Sequence, residues 1–194
     1  MKGHLEVITG PMFSGKSEEL LRRIRRAQIA ELYTVVFKPA IENRSEKIHT
    51  HSGYSQDGYY VYAITNANEI YKYVGADGKM TTEEKQQVIC IDEAQFFELE
   101  MIIVVQKLVE DGNRVIVSGL DQDFRQEPFG PMPELLALAD FIVKLRAVCV
   151  KCGKDATTTQ RLVNGEPASY DGDTILVGAK DSYEARCREC HERG

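Results

Sequence analysis

The sequence predicts an α/β fold, a mostly parallel sheet flanked by helices, followed by a small domain that contains cysteine pairs. Two observations lead to this prediction. Short apolar runs alternate with segments of helical periodicity over residues 1–148, and two Cys-x-x-Cys pairs lie in residues 149–194. Strands that alternate with helices are typical of parallel sheets, because each crossover helix covers one face of the sheet. We therefore divide the chain into a larger domain, 1–148, and a smaller one, 149–194.

The elements of the larger domain are short and regularly spaced. Apolar runs rich in β-branched residues predict strands at 5–9, 33–37, 59–64, 88–92, 114–119 and 141–148. Helical spacing predicts one helix after residue 17 and further helices at 66–74, 97–110 and 133–139, and Asn66 is the expected cap of the first of these three. The polar segment 40–58 is long for a connection, which favours a mobile substrate flap.

The segment GPMFSGKS at residues 10–17 has the spacing of a phosphate-binding loop, or P-loop. Its glycines let the backbone turn so that successive amides point at phosphate oxygens, its lysine supplies a positive charge, and its last serine can bind magnesium. The loop follows a predicted strand and precedes a predicted helix, as the motif requires. It predicts a RecA-like nucleotide site that includes Gly10, Pro11, Met12, Phe13, Ser14, Gly15, Lys16 and Ser17.

A pair of acidic residues ends the predicted strand 88–92. In P-loop proteins an aspartate at such a position holds the magnesium ion, so Asp92 and Ser17 are the predicted magnesium ligands. Glu93 follows directly, and a carboxylate near the terminal phosphate can act as a general base. The base could activate either an alcohol or water. The spacing alone therefore does not distinguish a kinase from an ATPase.

The four cysteines of the smaller domain are Cys149, Cys152, Cys187 and Cys190. Each pair can bind one ion through two thiolates, and four thiolates complete a tetrahedral structural zinc site. The segment 153–186 is longer than in a compact four-cysteine site and predicts a lasso-like loop anchored by the zinc. A redox role is the less favoured alternative. His191 could replace one thiol, but we expect it not to bind the metal.

Charge and composition narrow the class of partner. The net charge of −6 argues against a nucleic-acid binder, and a small-molecule substrate fits better. Four arginines lie among apolar residues of the first helix, which predicts a solvated face: Arg22, Arg23, Arg25 and Arg26. No apolar run is long enough for a signal peptide or a membrane span, so we expect a cytoplasmic protein without a membrane partner. The fifth cysteine, Cys90, lies in an apolar strand and is expected to be a core thiol.

Six segments, in order and nearly end to end, resemble the type II thymidine kinases: GPMFSGKS at 10–17, KPAIENR at 38–44, DEAQFF at 92–97, DFRQEPFG at 123–130, CVKC at 149–152 and CREC at 187–190. The resemblance implies transfer of the γ-phosphate of ATP, with Mg²⁺, to the 5′-hydroxyl of thymidine or deoxyuridine in the salvage route to dTTP. It also implies a homotetramer that dTTP inhibits.

The resemblance assigns roles to individual residues. It makes Glu93 the catalytic base and Lys16 the phosphate lysine, and it places Arg44, Asp92 and Gln95 at the nucleotide. Glu42, where the family has an aspartate, and Arg44 are expected near the sugar. The thymine is expected among Met12, Phe96, Phe124, Thr159 and Tyr183, and against the backbone of Leu176, Val177 and Gly178. Phe97 is expected in the core rather than in the site.

Two functions of other classes remain as alternatives. An Asp-Glu-Ala sequence after a strand also occurs in helicase-type ATPases that nucleic acid stimulates, but the acidic charge and the length of the chain argue against that class. The second alternative function is that of a zinc-ribbon binding module with a vestigial nucleotide site. The intact set of Lys16, Ser17, Asp92 and Glu93 argues against it.

Overall fold

The main sheet is parallel throughout. The computed structural model describes residues 3–40, 59–74, 86–172 and 181–194, and within these ranges the sheet has six strands. Their order is β3-β2-β4-β5-β1-β6. The strands are β1 (His4–Thr9), β2 (Thr34–Pro39), β3 (Tyr60–Ile64), β4 (Val88–Ile91), β5 (Arg114–Gly119) and β6 (Phe141–Lys144). The predicted α/β class with a mostly parallel sheet is confirmed.

Helices cover both faces of this sheet. The α-helices of the described residues are α1 (Lys16–Ile29), α2 (Tyr71–Val74), α3 (Glu100–Glu110) and α4 (Met132–Leu138), with 3-10 turns at Ala67–Ile70 and Ala94–Phe96. Val35 and Phe37 pack on the side of α3 and α4, whereas Val36 packs with α1 on the other side. Successive strand residues face opposite sides, so a strand buried on both sides must be apolar throughout. Cys90 is fully buried on the α1 side, as predicted.

Two predicted helices differ from the observed ones at their starts. The segment predicted as a helix over 66–74 is a 3-10 turn followed by one α-helical turn, and Asn66 makes no side-chain capping bond. Glu69 instead reaches back and accepts hydrogen bonds from the Thr65 amide (3.3 Å) and hydroxyl (2.8 Å). The helix predicted from residue 97 begins at Glu100. The bonds of Glu69 define the start of the first segment, and the extended backbone of Phe97 (φ −88°, ψ 157°) keeps that residue out of the second helix.

The prediction of one strand over 141–148 was wrong. β6 ends at Lys144, and residues Ala147–Val148 form β7 in a separate antiparallel sheet with β8 (Asp155–Ala156). β6 lies at the edge beside β1, and the Leu145 amide makes a last bond to the Thr9 carbonyl (2.7 Å). After Thr9 the neighbouring chain turns away into the glycine loop. The edge strand therefore loses its partner and leaves the sheet.

The C-terminal part contains a second antiparallel sheet, in which β9 (Thr158–Val163) lies between β10 (Glu166–Pro167) and β11 (Asp181–Arg186). The small core of the C-terminal part consists of alanines and cysteines from β7, β8, β11 and the turns beside them. The predicted boundary between residues 148 and 149 stays a prediction.

Arg23 is a correction to the predicted solvated face of α1. This residue is 7% exposed, whereas Arg22, Arg25 and Arg26 are exposed as predicted. Arg23 Nε donates to Glu6 Oε2 (2.7 Å), and a second guanidinium nitrogen donates to Glu19. Arg114 Nε, on β5, donates to the other Glu6 oxygen (2.6 Å). Glu6 on β1 therefore ties the first helix and the central strands together.

We expect Glu6→Gln to destabilise the fold in a pH-dependent way. Burial raises the pKa of Glu6, but the hydrogen bonds and charges of Arg114 and Arg23 outweigh it and hold the pKa below its ordinary value. The stabilisation is therefore complete above the unfolded-state pKa and is lost as pH falls through the folded-state pKa. The substitution should cost about 2–4 kcal/mol near pH 7.

Urea denaturation at a series of pH values tests this expectation. The difference in unfolding free energy between wild type and Glu6→Gln should shrink as the pH falls below 4.5, the ordinary pKa of a glutamate, because the wild-type carboxyl becomes protonated. Glu110→Gln, an exposed change at the end of α3, is the matched control and should cost little at any pH. A difference that stays constant as the pH falls would contradict the role of Glu6.

Candidate active site and metal centre

The loop between β1 and α1 has the geometry of a phosphate cradle. Gly10 (φ 142°) and Gly15 (φ 85°) adopt backbone conformations that favour glycine, and a Cβ on Gly10 would lie 2.5 Å from the Leu145 carbonyl oxygen. Gly15 precedes α1, whose first amides have no partners within the helix and suit an anion. Among the described residues, Ser14 has a buried hydroxyl without a hydrogen-bond partner. A ligand at the loop could satisfy that hydroxyl.

Lys16 is the first residue of α1, and its Nζ donates to the carbonyl of Pro11 in the loop (2.9 Å). Burial lowers the pKa of Lys16, while the nearby carboxylates of Glu93, Asp92 and Asp121 oppose this shift. The P-loop lysine and the acidic pair of β4 are therefore close enough to interact, although β5 separates their strands. Parallel strands bring their carboxyl ends to one edge of the sheet, where ligands bind in open α/β folds.

Asp92 follows β4 and is buried. Burial and the neighbouring Glu93 carboxylate raise the pKa of Asp92 to about 7, while Ser118 and Lys16 act in the opposite direction. Two adjacent carboxylates beside a phosphate loop form a site that a divalent cation would stabilise. The residues present therefore fit a Mg²⁺ ion bound with a nucleotide.

Glu93 has a left-handed backbone conformation (φ 50°, ψ 42°), which is uncommon for a residue other than glycine. Gln95 lies in the 3-10 turn that follows, and its Nε2 donates to Glu93 Oε2 (2.5 Å). The Leu120 amide, just beyond β5, donates to Gln95 Oε1 (3.0 Å). The half-buried Glu93 side chain is thereby connected to the end of the neighbouring strand.

One face of β9 contacts the larger domain at two points. Thr159 Oγ1 accepts a hydrogen bond from the Met12 amide of the phosphate loop (3.0 Å). Arg161, two residues later and so on the same face, places its guanidinium 5.3 Å from the centre of the buried Phe124 ring. Tyr183 on β11 lies opposite Arg161 in the strand register and is half-buried. The structure thus brings Met12, Thr159 and Phe124 to the same interface.

The remaining aromatic residues lie at the 3-10 turn and the 123–130 loop. Phe96 packs edge-on against Phe129 (5.6 Å between ring centres). Phe97 is buried in the core, as predicted. Glu42, Arg44, Leu176, Val177 and Gly178 lie outside the described residues.

Sequence reasoning did not include Phe129, Arg125 or Arg161. Phe129 and Arg125 belong to the segment DFRQEPFG, so that motif was an available signal for them. The Arg125 guanidinium lies 5.2 Å from the centre of the Phe124 ring and donates to the Gly172 carbonyl. For Arg161 the sequence carries no signal, because an arginine in a short strand predicts an exposed position.

The four cysteines of the C-terminal part form one cluster. Their Sγ atoms all lie within 4.8 Å of one another, and the Cys152 and Cys187 sulfurs are 3.7 Å apart. Four thiolates at about 2.3 Å from a zinc ion are separated by about 3.8 Å in a tetrahedron. All four are free thiols. The cluster therefore fits a metal ion such as zinc.

The turns that contain the four cysteines place backbone amides near the sulfur of Cys149. Burial raises the pKa of Cys149, but the backbone amides of Cys187, Lys151 and Cys152 outweigh it and lower the pKa to about 6. His191 directs Nε2 to the Phe124 carbonyl oxygen (2.9 Å) rather than into the cluster. That contact makes His191 a link between the cysteine turn and Phe124.

The thymidine kinase family model matches residues 3–191, a range that includes both the phosphate loop and the cysteine cluster. The chain belongs to the thymidine kinase family. Membership confirms the resemblance seen in the six motifs and makes the protein a kinase by class.

One solved structure has a similar fold. It is described as "The Structure Of A DnaB-Like Replicative Helicase And Its Interactions With Primase" and matches with a TM-score of 0.50 and 10% identity. The match covers 74% of this chain and 46% of that chain, so this chain spans less than half of the length of that protein. At this identity the likeness shows the fold alone, which agrees with the predicted P-loop α/β architecture. No helix in the described ranges has the length and apolarity needed to span a bilayer.

Proposed function

We propose that the protein is an ATP-dependent thymidine kinase that phosphorylates the 5′-hydroxyl of thymidine, and of deoxyuridine, in pyrimidine deoxynucleoside salvage. The observation that carries the proposal is the meeting of the phosphate loop, Asp92 and Glu93 at one edge of the sheet in a member of this family. The contact between Met12 and Thr159 supports it, because it places the metal-binding part beside the phosphate loop.

In this proposal the loop amides, Lys16 and the first turn of α1 bind the phosphates of ATP. Ser17 and Asp92 would hold Mg²⁺, which neutralises charge on the phosphates when it is bound. Arg44 is proposed to reach the same phosphates. Positioning and electrostatic stabilisation, rather than covalent chemistry, account for most of the rate in phosphoryl transfer.

Glu93 is proposed as the general base. Its carboxylate accepts the proton of the 5′-hydroxyl as that oxygen bonds to the γ-phosphorus, and the bond from phosphorus to the β,γ-bridging oxygen breaks, leaving ADP. The half-buried position of Glu93 beside Lys16 supports this role. Water would compete with the 5′-hydroxyl as acceptor of the γ-phosphate. The nucleoside pocket therefore has to close around the sugar and keep water out.

The nucleoside pocket is proposed to include Met12, Phe96, Phe124, Thr159 and Tyr183, with Glu42 and Arg44 near the sugar and Leu176, Val177 and Gly178 at the base. Aromatic and apolar groups of this kind select a flat pyrimidine. The proposed structural zinc, held by Cys149, Cys152, Cys187 and Cys190, fixes the end of β11 and so supports β9. Homotetramer formation, inhibition by dTTP and a cytoplasmic location stay predictions.

The test is to incubate the protein with ATP and Mg²⁺ and each deoxynucleoside in turn, and to measure ADP and nucleoside monophosphate. Thymidine and deoxyuridine should be phosphorylated, and deoxyadenosine should not. Lys16→Ala should abolish the reaction, which excludes a contaminating kinase. ATP hydrolysis stimulated by DNA or RNA, without a phosphorylated nucleoside, would overturn the proposal in favour of a helicase-type ATPase.

A further inference from the structure

We infer that Gln95 is a positioning residue for Glu93 rather than a ligand of ATP, an inference that rests on the proposed function. Its side-chain amide connects two fixed points of the protein. Nε2 donates to Glu93 Oε2 (2.5 Å), and Oε1 accepts from the Leu120 amide (3.0 Å). The Glu93 carboxylate is thus joined to the backbone just beyond β5.

The orientation of the Gln95 amide follows from its partners. A backbone N–H can only donate, so the Leu120 amide must face the carbonyl oxygen of Gln95. A carboxylate can only accept, so Glu93 must face the NH₂ group. Reversing the amide would leave both partners unsatisfied, and Gln95 is only 2% exposed, so water could not replace them readily.

The surroundings of Gln95 leave it little freedom. A Cβ on Gly119, the last residue of β5, would lie 2.7 Å from Gln95 Oε1. A Cβ on Gly130, whose φ is 52°, would lie 2.3 Å from the Gln95 carbonyl oxygen. Two glycines therefore allow other segments of backbone to close on this residue. They hold both the main chain and the side-chain amide of Gln95 in place.

Glu93 needs such a support because its side chain is only half-buried and a glutamate has several rotamers available. A base must lie within hydrogen-bonding distance of the hydroxyl whose proton it accepts. The bond from Gln95 selects one rotamer. Its loss should lower kcat, because fewer molecules hold the carboxylate correctly, while binding of both substrates is retained.

The test compares kcat and both KM values in Gln95→Met and Gln95→Glu. Methionine has similar length but no donor, and glutamate keeps an acceptor for Leu120 while placing a second carboxylate against Glu93. We expect kcat to fall about 10- to 100-fold in both, with KM for ATP and thymidine changed less than about threefold. Gln106→Met, an exposed change on α3, is the matched control and should leave kcat unchanged.

A double-mutant cycle separates positioning from direct contact with nucleotide. In a Glu93→Gln background, Gln95→Met should cause no further loss of kcat, because the base that it positions is already absent. A full additional loss, or a large rise in KM for ATP alone, would overturn the inference. Thermal melting of each variant shows whether the loss reflects unfolding.

A crystal structure of Gln95→Met gives a readout that does not depend on activity. The Glu93 carboxylate should be displaced or occupy several positions, whereas in the wild type it should occupy one. An unmoved Glu93 carboxylate would refute the positioning role. A wild-type protein that phosphorylates no nucleoside would refute the proposed function instead, and the crystallographic result would still decide whether Gln95 orients Glu93.

Discussion

Glu93→Gln should retain ATP binding and lose about 10²- to 10⁴-fold in turnover, the usual contribution of a general base. Glutamine has the same shape, and its carbonyl oxygen can still accept the bond from Gln95 Nε2. The left-handed backbone at this position is unaffected by the change. The variant therefore removes the basicity of the side chain and leaves the surrounding structure intact.

Titration calorimetry with ATP and Mg²⁺, together with steady-state nucleoside phosphorylation, measures the two properties separately. Glu98→Gln provides the control, since Glu98 is an exposed carboxylate a short distance along the same segment. It should match the wild type in both assays. If Glu93→Gln turned over thymidine at the wild-type rate, the proton would have to leave by another route, and Glu93 would lose its proposed role.

Cys187→Ser should abolish metal binding and destabilise the C-terminal part. A serine hydroxyl is a poor replacement for a thiolate, and the apparent binding free energy of a structural zinc site is about 10–16 kcal/mol in isolated peptides. Cys187 directly follows β11, which pairs with β9 along its whole length. Because β9 carries Thr159 and its bond to Met12, we also expect KM for thymidine to rise more than KM for ATP.

Elemental analysis of the purified proteins and thermal melting test this expectation. Cys90→Ala alters a buried thiol far from the cluster and should keep the metal, although it loses some stability as a core change. Removal of the metal from the wild type with a chelator should reproduce the effect of Cys187→Ser, and added zinc should reverse it. A metal-free wild type with unchanged melting would contradict a structural metal.

Much of the fold was predictable because its signals are local. A strand buried on both faces is apolar at every position, as in residues 88–91, and the segment between β1 and α1 carries glycines at Gly10 and Gly15, where φ is positive. The spacing of the cysteines is also a local signal, since two thiols three residues apart can bind one ion from a single turn. These features need no knowledge of distant residues.

Two predictions were wrong because a distant segment of the chain decides where a strand ends or whether a side chain is buried. The strand predicted over 141–148 stops at Lys144 because its neighbour β1 turns away, which the segment itself does not encode. Arg23 lies on the same face of α1 as the buried Leu20 and Ala27, but an arginine by itself predicts an exposed side chain. It is buried because Glu6 and Glu19 lie beside it in the folded protein.

The sequence by itself determined the class of protein: a phosphate-binding loop, an acidic pair, four thiols that can bind a metal and, through their joint order, a member of the thymidine kinase family. Only the tertiary structure decided how those parts are held. The bond from Gln95 to Glu93 depends on Leu120, and the bond from Met12 to Thr159 joins residues that are far apart in the chain. Chemical type is a property of each residue, whereas orientation depends on partners that only folding brings together.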